Sequence, residues 1–348
     1  MADGRWSSAP AADARSGFDY TLRAGKGQIA AKRVARDLDL CYTDFMGKDL
    51  RICDYEGSDY RADFWEGRGR DYEDLAERIA LRRLMPPPGG RLLDIGAGFG
   101  RLSEFYAGYD EVVLLDYSRT GLRQARDRLG RDGRIKYAAA SFYEMPFATD
   151  TFDTVLMVRV MHHAEDVPAL LGQVARVLRS GGHYVVEFAN KRHLKAIARY
   201  LLRRQTWNPF DRAPVEFAEM NLDFHPVWME HQLEGAGFHV KQRRTVSHFR
   251  LPLLKRLVPP RILAGLDGLC QPTGHWWQLT PSVFLQCGLD KPQGGPRAGS
   301  VYQCPSCGGE LLDEAPTTVT CAACGSQWPN DQGIYCFREQ PVAAQSTP

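Results

Sequence analysis

Apolar and amphipathic segments alternate along the middle of the chain, from residue 71 to residue 190. Four short apolar runs predict buried strands. These runs are RLLDIGAGFG (91–100), EVVLLD (111–116), TFDTVLMVRV (151–160) and HYVVEFA (183–189). Helices are predicted for DYEDLAERIALRRLM (71–85), for a segment between an N-capping Ser118 and Gly130, and for a segment through Leu170 that runs to Ser180-Gly181-Gly182. Continuous apolar strands separated by amphipathic helices predict an α/β fold, with a parallel sheet covered on both faces.

The composition is that of a folded protein with a core of ordinary size. Of the 348 residues, 44% are hydrophobic and 25% are charged, and the formal net charge is +2. A protein held to RNA by a broad electrostatic footprint is usually more basic, so this charge weakens an RNA-binding function but leaves it open. The sequence shows neither a run of about 18 apolar residues nor the apolar stretch of a secretion signal, which predicts a cytoplasmic protein without a membrane span.

Composition also predicts how the chain is divided into domains. Residues 1–70 form an irregular extension, and the mixture of Gly, Ala, Ser and charge in its first thirty residues predicts disorder there. Residues 71–289 form the α/β domain. Residues 290–300 contain KPQGGPRAGS, which is typical of a linker. Residues 301–340 form a small module that carries two pairs of cysteines.

A glycine-rich loop follows the first predicted strand and has an acidic residue directly before it. The loop reads Gly96-Ala97-Gly98-Phe99-Gly100, and Asp94 precedes it. In a dinucleotide-binding loop the third glycine comes one residue later, and the loop holds phosphates, which an acidic neighbour disfavours. Asp116 ends the next strand, where its carboxylate can accept hydrogen bonds from ribose hydroxyls. A ribose and a positive amino group are the parts of S-adenosylmethionine; the alternative is a tight turn with a surface aspartate.

The ordered motifs of residues 90–190 resemble the class I S-adenosylmethionine-dependent methyltransferases, in particular the branch of ubiquinone and menaquinone biosynthesis. The motifs are LLDIGAGFGR, VVLLDYS, FYEMPF (142–147), FDTVLMVRVMHH (152–163) and ARVLRSGGHYVVEF (175–188). The resemblance implies a Rossmann-like, seven-stranded sheet whose last strand is antiparallel. Residues 238–247 and 282–288 are the candidates for its final pair of strands.

The resemblance also implies a cofactor site. Its residues are Asp94, Gly96, Ala97, Gly98 and Gly100 at the methionine end, Asp116 and Tyr117 at the ribose, Ser141 and Phe142 at the adenine, and Arg159. Relatives usually carry an aspartate where this chain has Ser141. A serine hydroxyl still offers the adenine a hydrogen bond.

Candidate catalytic residues follow the fourth predicted strand. They are His162, His163 and Arg159. Histidine titrates near neutral pH, so either imidazole is a candidate general base; the alternative is a histidine pair that caps a loop. Arg159 is a candidate anchor for a carboxylate or phosphate, with a structural salt bridge as the alternative.

An insertion near residues 191–225 is expected to cover the acceptor site. It begins with KRHLKAIARYLLRR (191–204), a basic amphipathic helix that suits contact with phosphates or a membrane surface; the alternative is a solvated face over the core. Aromatic residues follow in 205–224, where this superfamily places insertions that cover the substrate. We therefore interpret the insertion as a lid or a wall of the acceptor pocket.

The C-terminal cysteines have the spacing of a metal site. Two C-x-x-C pairs, Cys304 with Cys307 and Cys321 with Cys324, are separated by 13 residues. Four thiolates complete a tetrahedron around zinc, which favours a structural ion over a redox function. The segment 304–337 is similar to the zinc-ribbon activator proteins that bind methyltransferases of tRNA, rRNA and translation factors. The resemblance implies an intramolecular clamp and leaves recruitment of RNA open.

Three functions compete at this point. The first is methylation of a small molecule. The second is methylation of RNA or protein with the help of the ribbon and the basic helix, and the third is a non-catalytic, S-adenosylmethionine-binding scaffold. The intact glycine loop and Asp116 oppose the third. The sequence indicates neither the acceptor atom nor the oligomeric state.

Overall fold

The computed structural model describes most of the chain from residue 50 onward. The described residues are 50–58, 62, 65, 69–130, 132–292, 300–311 and 317–338. The predicted disorder of the first thirty residues lies outside them.

Helices and strands alternate as the sequence predicts. The α-helices are α1 (Asp71–Leu84), α2 (Arg119–Leu129), α3 (Val167–Val177), α4 (Leu194–Leu201), α5 (Pro226–Gly235), α6 (Pro252–Leu257) and α7 (Pro260–Cys270). The strands are β1 (Arg91–Ile95), β2 (Glu111–Asp116), β3 (Ile135–Ala139), β4 (Phe152–Met157), β5 (Leu178–Ala189), β6 (Val215–Ala218), β7 (Asn221–Asp223), β8 (Phe238–Val246), β9 (Ser282–Leu289), β10 (Thr318–Thr320), β11 (Gln327–Asp331) and β12 (Ile334–Cys336). Short 3-10 helices span Ser103–Tyr106, Met161–His163 and Gln271–His275. Among these described helices, none combines the length and the apolar character that crossing a bilayer requires.

One mixed sheet forms the centre of the described chain. Its strand order is β10-β11-β12-β3-β2-β1-β4-β5-β9-β8, and β6 pairs with β7 separately. Strands β3, β2, β1, β4 and β5 run parallel, while β9 lies antiparallel between β5 and β8. The seven strands from β3 to β8 are the predicted Rossmann-like sheet, and β8 and β9 are its predicted final pair. The predicted fold class is therefore confirmed.

The central strands are buried because helices cover the faces of the sheet. All eight residues of β9 are buried, as are the four inner residues of β2. Such strands need no alternation of polar and apolar side chains, which explains their continuous apolar runs. Ser118 begins α2 as predicted, and its side chain accepts a hydrogen bond from Gly121 N at 3.2 Å.

The predicted end of one helix was wrong. Helix α3 ends at Val177, and β5 begins at Leu178 instead of after Ser180-Gly181-Gly182. The pairing of β4 with β5 shifts register between Phe152 and Thr154, so the extra residues join the sheet through an irregularity. Glycines after a helix ordinarily mark its end, and the sequence pattern therefore favoured the longer helix.

The C-terminal module extends this sheet. Strand β12 pairs in parallel with β3, with Tyr335 opposite Ala138, and Phe337 N donates to Ala139 O at 2.8 Å. Across the same boundary, Arg123 of α2 forms an ion pair of 2.6 Å with Asp331. The pairing occupies the backbone edge of β3.

Candidate functional site

A cavity opens at the carboxyl ends of β1, β2 and β4. Strand β1 lies between β2 and β4, so the connections that follow β1 and β4 leave the sheet in opposite directions. A crevice forms where the strand order reverses in this way. Nine of the ten residues predicted to bind the cofactor line this cavity. They are Asp94, Gly96, Ala97, Gly98, Asp116, Tyr117, Ser141, Phe142 and Arg159.

The glycine loop between β1 and the next turn requires glycine at two positions. Gly96 has φ +68°, and a Cβ there would lie 2.1 Å from Val160 Cγ2. Gly98 has φ +52°, and a Cβ there would have no atom within 4 Å, because this residue faces the open cavity. Gly100, the tenth predicted residue, does not line the cavity; it faces Leu129 of α2, 3.1 Å from an ideal Cβ position.

Two carboxyl groups line the floor of the cavity. Asp116 Oδ1 accepts a hydrogen bond from Ser118 N, and its Oδ2 accepts one from Gly98 N, both at 2.8 Å. Asp94 is buried and accepts a hydrogen bond from Tyr106 Oη at 2.6 Å. Burial raises the pKa of Asp94 to about 7 and also raises the pKa of Asp116. A cationic ligand beside these groups would favour their ionised forms.

The far wall of the cavity comes from the segment after β3. Ser141 and Phe142 both line it, and the Ser141 hydroxyl accepts a hydrogen bond from Tyr143 N at 3.1 Å. The rings of Phe142 and Tyr143 meet edge to face at 4.6 Å. The Ser141 hydroxyl suits the polar edge of a nucleobase, and the Phe142 ring suits its face.

Residues before α1 form a further wall that the sequence pattern did not reveal. This wall contains Ile52, Cys53, Tyr55, Ser58 and Trp65. Three guanidinium groups lie over the Trp65 ring, with Cζ of Arg101, Arg159 and Arg70 at 4.0, 5.0 and 5.8 Å from its centroid. The segment carries no helical or strand periodicity, and its aromatic residues were the only available signal.

Arg159 forms a structural salt bridge, which was one of the two roles that the sequence left open for it. Its guanidinium donates to Glu77, which is buried and also pairs with Arg101 at 3.0 Å. The backbone of Arg159 adopts φ +61°, and its N–H donates to Glu187 Oε2 at 2.9 Å. Arg159 is thus fixed by contacts within the protein, at the boundary of the cavity.

His163 lies where this first cavity meets a second, larger one, and it lines both. Its Nδ1 is 2.8 Å from Met220 O. A carbonyl oxygen only accepts, so Nδ1 carries the proton and Nε2 presents its lone pair. Nε2 lies 3.4 Å from Tyr55 Oη. Burial lowers the pKa of His163, which keeps the imidazole neutral near pH 7.

His162 lines only the second cavity. Its ring centroid is 4.0 Å from that of His163. Burial, the neighbouring His163 and Arg159 together lower the pKa of His162 well below its usual range. The two predicted candidates therefore differ, because only His163 faces both cavities.

The second cavity lies between the ends of β5 and β7, the start of α4 and the loops around α6. Its polar lining includes His162, His163, Glu187, Asn190, His193, Lys195, Arg199, Asp223, His248 and Arg250. Its apolar lining includes Leu194, Trp207, Phe217, Leu251, Trp277 and Leu279. Residues 194 to 223 belong to the insertion that the sequence predicts to be a lid or a wall of the acceptor pocket.

The four cysteines of the C-terminal module lie together. Their Sγ atoms are all within 4.8 Å of one another, with Cys304 and Cys324 at 3.7 Å and Cys307 and Cys321 at 3.6 Å. Thiolates at about 2.3 Å from a tetrahedral zinc lie about 3.8 Å apart, so the cluster has the dimensions of such a site. Gly308 N donates to Cys304 O and Gly325 N to Cys321 O, both at 2.8 Å, and these bonds close the two predicted turns.

The chain is similar to known methyltransferases in sequence. A family model described as a methyltransferase domain matches residues 93–186. The chain is 33% identical over 189 residues to a demethylmenaquinone methyltransferase of Clavibacter sepedonicus, a match that covers 50% of this chain and 76% of that protein. It is 31% identical over 175 residues to a ubiquinone biosynthesis O-methyltransferase of Mesorhizobium japonicum, covering 48% of this chain and 67% of that protein.

Other curated relatives match over less of their length, between 31% and 52%. Among solved structures, an S-adenosylmethionine-dependent methyltransferase of Mesorhizobium loti is 25% identical, with a TM-score of 0.45. That similarity covers 61% of this chain and 97% of the other.

Proposed function

Since the chain belongs to the class I S-adenosylmethionine-dependent methyltransferases, we propose that it methylates a small molecule in the second cavity, with His163 as the general base. The observation that carries the proposal is the position of His163, which lines both cavities and carries its proton on Nδ1, so that Nε2 is unprotonated. A base at that point can reach an acceptor hydroxyl or amine without entering the cofactor site.

The residues of the first cavity fit the cofactor. The open space at Gly98 admits a ligand against the backbone, and the Asp116 oxygens keep lone pairs for two ribose hydroxyls. Asp94 would face the positive methionine end. The cofactor supplies an electrophilic methyl group on a sulfonium sulfur, and the transfer is helped mainly by positioning.

The protein residues around His163 keep its Nε2 unprotonated before the acceptor binds. The bond to Met220 O fixes the tautomer, and burial disfavours the protonated ring. Tyr55 Oη lies beside Nε2 and would orient the acceptor or a bridging water. His163 would take the acceptor proton at Nε2 as the acceptor atom attacks.

The cavity lining and the relatives support a small acceptor. The second cavity is lined by aromatic and aliphatic side chains as well as polar ones, as ligand pockets commonly are. The relatives named above act in demethylmenaquinone methylation and in ubiquinone biosynthesis. The net charge of +2 is small for an enzyme that binds RNA.

The test is a labelling experiment with S-adenosylmethionine that carries a tritiated methyl group. The full-length protein is incubated separately with a bacterial metabolite extract, with total RNA and with extract protein. We expect label in the metabolite fraction, and loss of most of it with His163→Asn. Label confined to RNA or protein would contradict the small-molecule acceptor.

We also propose that Cys304, Cys307, Cys321 and Cys324 hold one structural zinc ion. The dimensions of the cluster support this assignment, and four thiolates leave no position for water or substrate. Since β12 of the same module pairs with β3, the ion would stabilise one edge of the sheet.

A further inference from the structure

Three basic side chains surround His193 in the second cavity. Lys195 and Arg199 extend from α4 and Arg250 follows β8, and all three line the cavity together with His193. His193 Nδ1 accepts a hydrogen bond from Ala196 N at 3.3 Å, so its proton is on Nε2. Burial and, to a smaller extent, the repulsion of these three cations lower the pKa of His193 to about 4. His193 is therefore a neutral hydrogen-bond donor within a positive environment.

Arg199 has unused hydrogen-bonding capacity in this cluster. Its Nε is buried and has no hydrogen-bond partner among the described residues. Neither Arg199 nor Lys195 forms an ion pair within 4.0 Å in the described part of the chain, whereas Arg250 pairs with Glu73 at 3.3 Å. A buried donor without a partner costs free energy, and a bound anion would recover it.

The carboxylates of the cavity do not neutralise the cluster. Of the five basic side chains that line the cavity, Arg159 and Arg250 pair with glutamates outside the lining, and the carboxyl groups within it are those of Glu187 and Asp223. Glu187 already accepts hydrogen bonds from Arg159 N and from the Ser282 hydroxyl. Burial and Glu187 raise the pKa of Asp223 to about 6, although Arg199 acts in the opposite direction.

Large apolar side chains complete the lining. Leu194, Phe217, Leu251 and Trp277 all line the cavity, and each is more than half exposed. Leu194 directly precedes Lys195, and Leu251 directly follows Arg250. Apolar contacts and cationic donors therefore alternate around the same space, an arrangement that suits a ligand with both characters.

We propose that the acceptor has an apolar body and one anionic group, and that His193, Lys195 and Arg199 bind the anion. The inference rests on the proposed function, because this cavity meets the first cavity at Tyr55, Arg159 and His163, which line both. It adds the chemical class of the acceptor, a carboxylate or phosphate amphiphile.

The test is calorimetry on the full-length protein with octanoate, octyl phosphate and the uncharged 1-octanol. We expect at least one charged probe to bind about tenfold tighter than octanol or better, because it forms charge-assisted hydrogen bonds. Arg199→Gln and the exposed Lys195→Gln should each weaken that binding by about tenfold. The matched control, Arg204→Gln, removes an exposed cation that is outside the cavity lining and should change affinity less than twofold.

Three results would overturn the inference: equal affinity for octanol, no binding of either charged probe, or equal weakening in Arg204→Gln and Arg199→Gln. S-adenosylhomocysteine binding is measured in the same samples. If the protein binds S-adenosylhomocysteine but fails the probe test, the proposed function stands and only the proposal of an anionic acceptor is contradicted. A protein that fails to bind S-adenosylhomocysteine contradicts the cofactor site instead.

Discussion

The guanidinium of Arg338 lies 4.0 Å from the centre of the Tyr117 ring and donates to Tyr117 O at 2.8 Å. The same group also donates to Glu56 at 2.7 Å and to Asp54 at 2.8 Å. Tyr117 lines the first cavity, and residues 52–58 contribute another of its walls. One residue of the C-terminal module thus ties the two walls together.

Loss of this tie should weaken cofactor binding. Arg338→Gln removes the charge-assisted hydrogen bonds that hold residues 54–56. Because ordering these residues on binding then costs free energy, we expect S-adenosylmethionine affinity to fall about tenfold. Calorimetry measures the change. Arg123→Gln is the matched control, because it breaks another contact of the module, with Asp331, away from the cavity; its affinity should stay within about twofold. Equal effects of the two variants would show general destabilisation instead.

His163→Asn should lower turnover by about 10²-fold or more, while cofactor affinity stays unchanged. The asparagine amide can still donate to Met220 O, but it offers no basic nitrogen. Because burial lowers the pKa of His163, wild-type turnover at saturating cofactor should fall only on the acidic side of the ordinary histidine pKa. Steady-state kinetics across pH test both statements, with His162→Asn as the comparison. Full turnover in His163→Asn would return the histidine pair to a structural role.

Asp94 should release a proton when the cofactor binds. With a pKa of about 7, this carboxyl group is largely protonated at pH 6 and largely ionised at pH 8. The positive methionine end favours the ionised form, so binding should release more protons at pH 6 than at pH 8. Calorimetry in buffers of different ionisation enthalpy measures the release. The extra release at pH 6 should be absent from Asp94→Asn, and equal release at both pH values in the wild type would oppose the assignment.

Removal of zinc should destabilise the protein at the edge of its sheet. We expect one ion per chain by elemental analysis, and a melting temperature about 5 °C lower or more after chelation or in Cys321→Ser. Cys270→Ser, which changes a thiol outside the cluster, should keep the ion. The assignment fails if freshly purified protein contains no metal, or if it contains Cys304–Cys307 and Cys321–Cys324 disulfides.

The sequence predicts the sheet and brings out many of the residues that line the first cavity, because both depend on local patterns. Gly96 and Gly98 follow β1 within three residues and Asp116 ends β2, and parallel strands bring their carboxyl ends together. Tyr55 lines the first cavity and Arg338 contacts Tyr117 of its wall, although the two residues come from non-periodic segments 283 residues apart in the chain. Only tertiary packing brings such residues to the site, so no spacing in the sequence could reveal them.

The contribution of Asp116 to cofactor binding is the most direct test of the site. Asp116→Ala should weaken S-adenosylmethionine binding by about 2–3 kcal/mol, because hydrogen bonds to a charged group are lost. Asp110→Ala is the control: Asp110 also accepts a glycine N–H, from Gly90 at 3.1 Å, but at the opposite end of β2. Circular dichroism and melting temperature check that both variants fold. Calorimetry should then show weak binding for Asp116→Ala and wild-type binding for Asp110→Ala, whereas wild-type affinity in a folded Asp116→Ala variant would contradict the cofactor site.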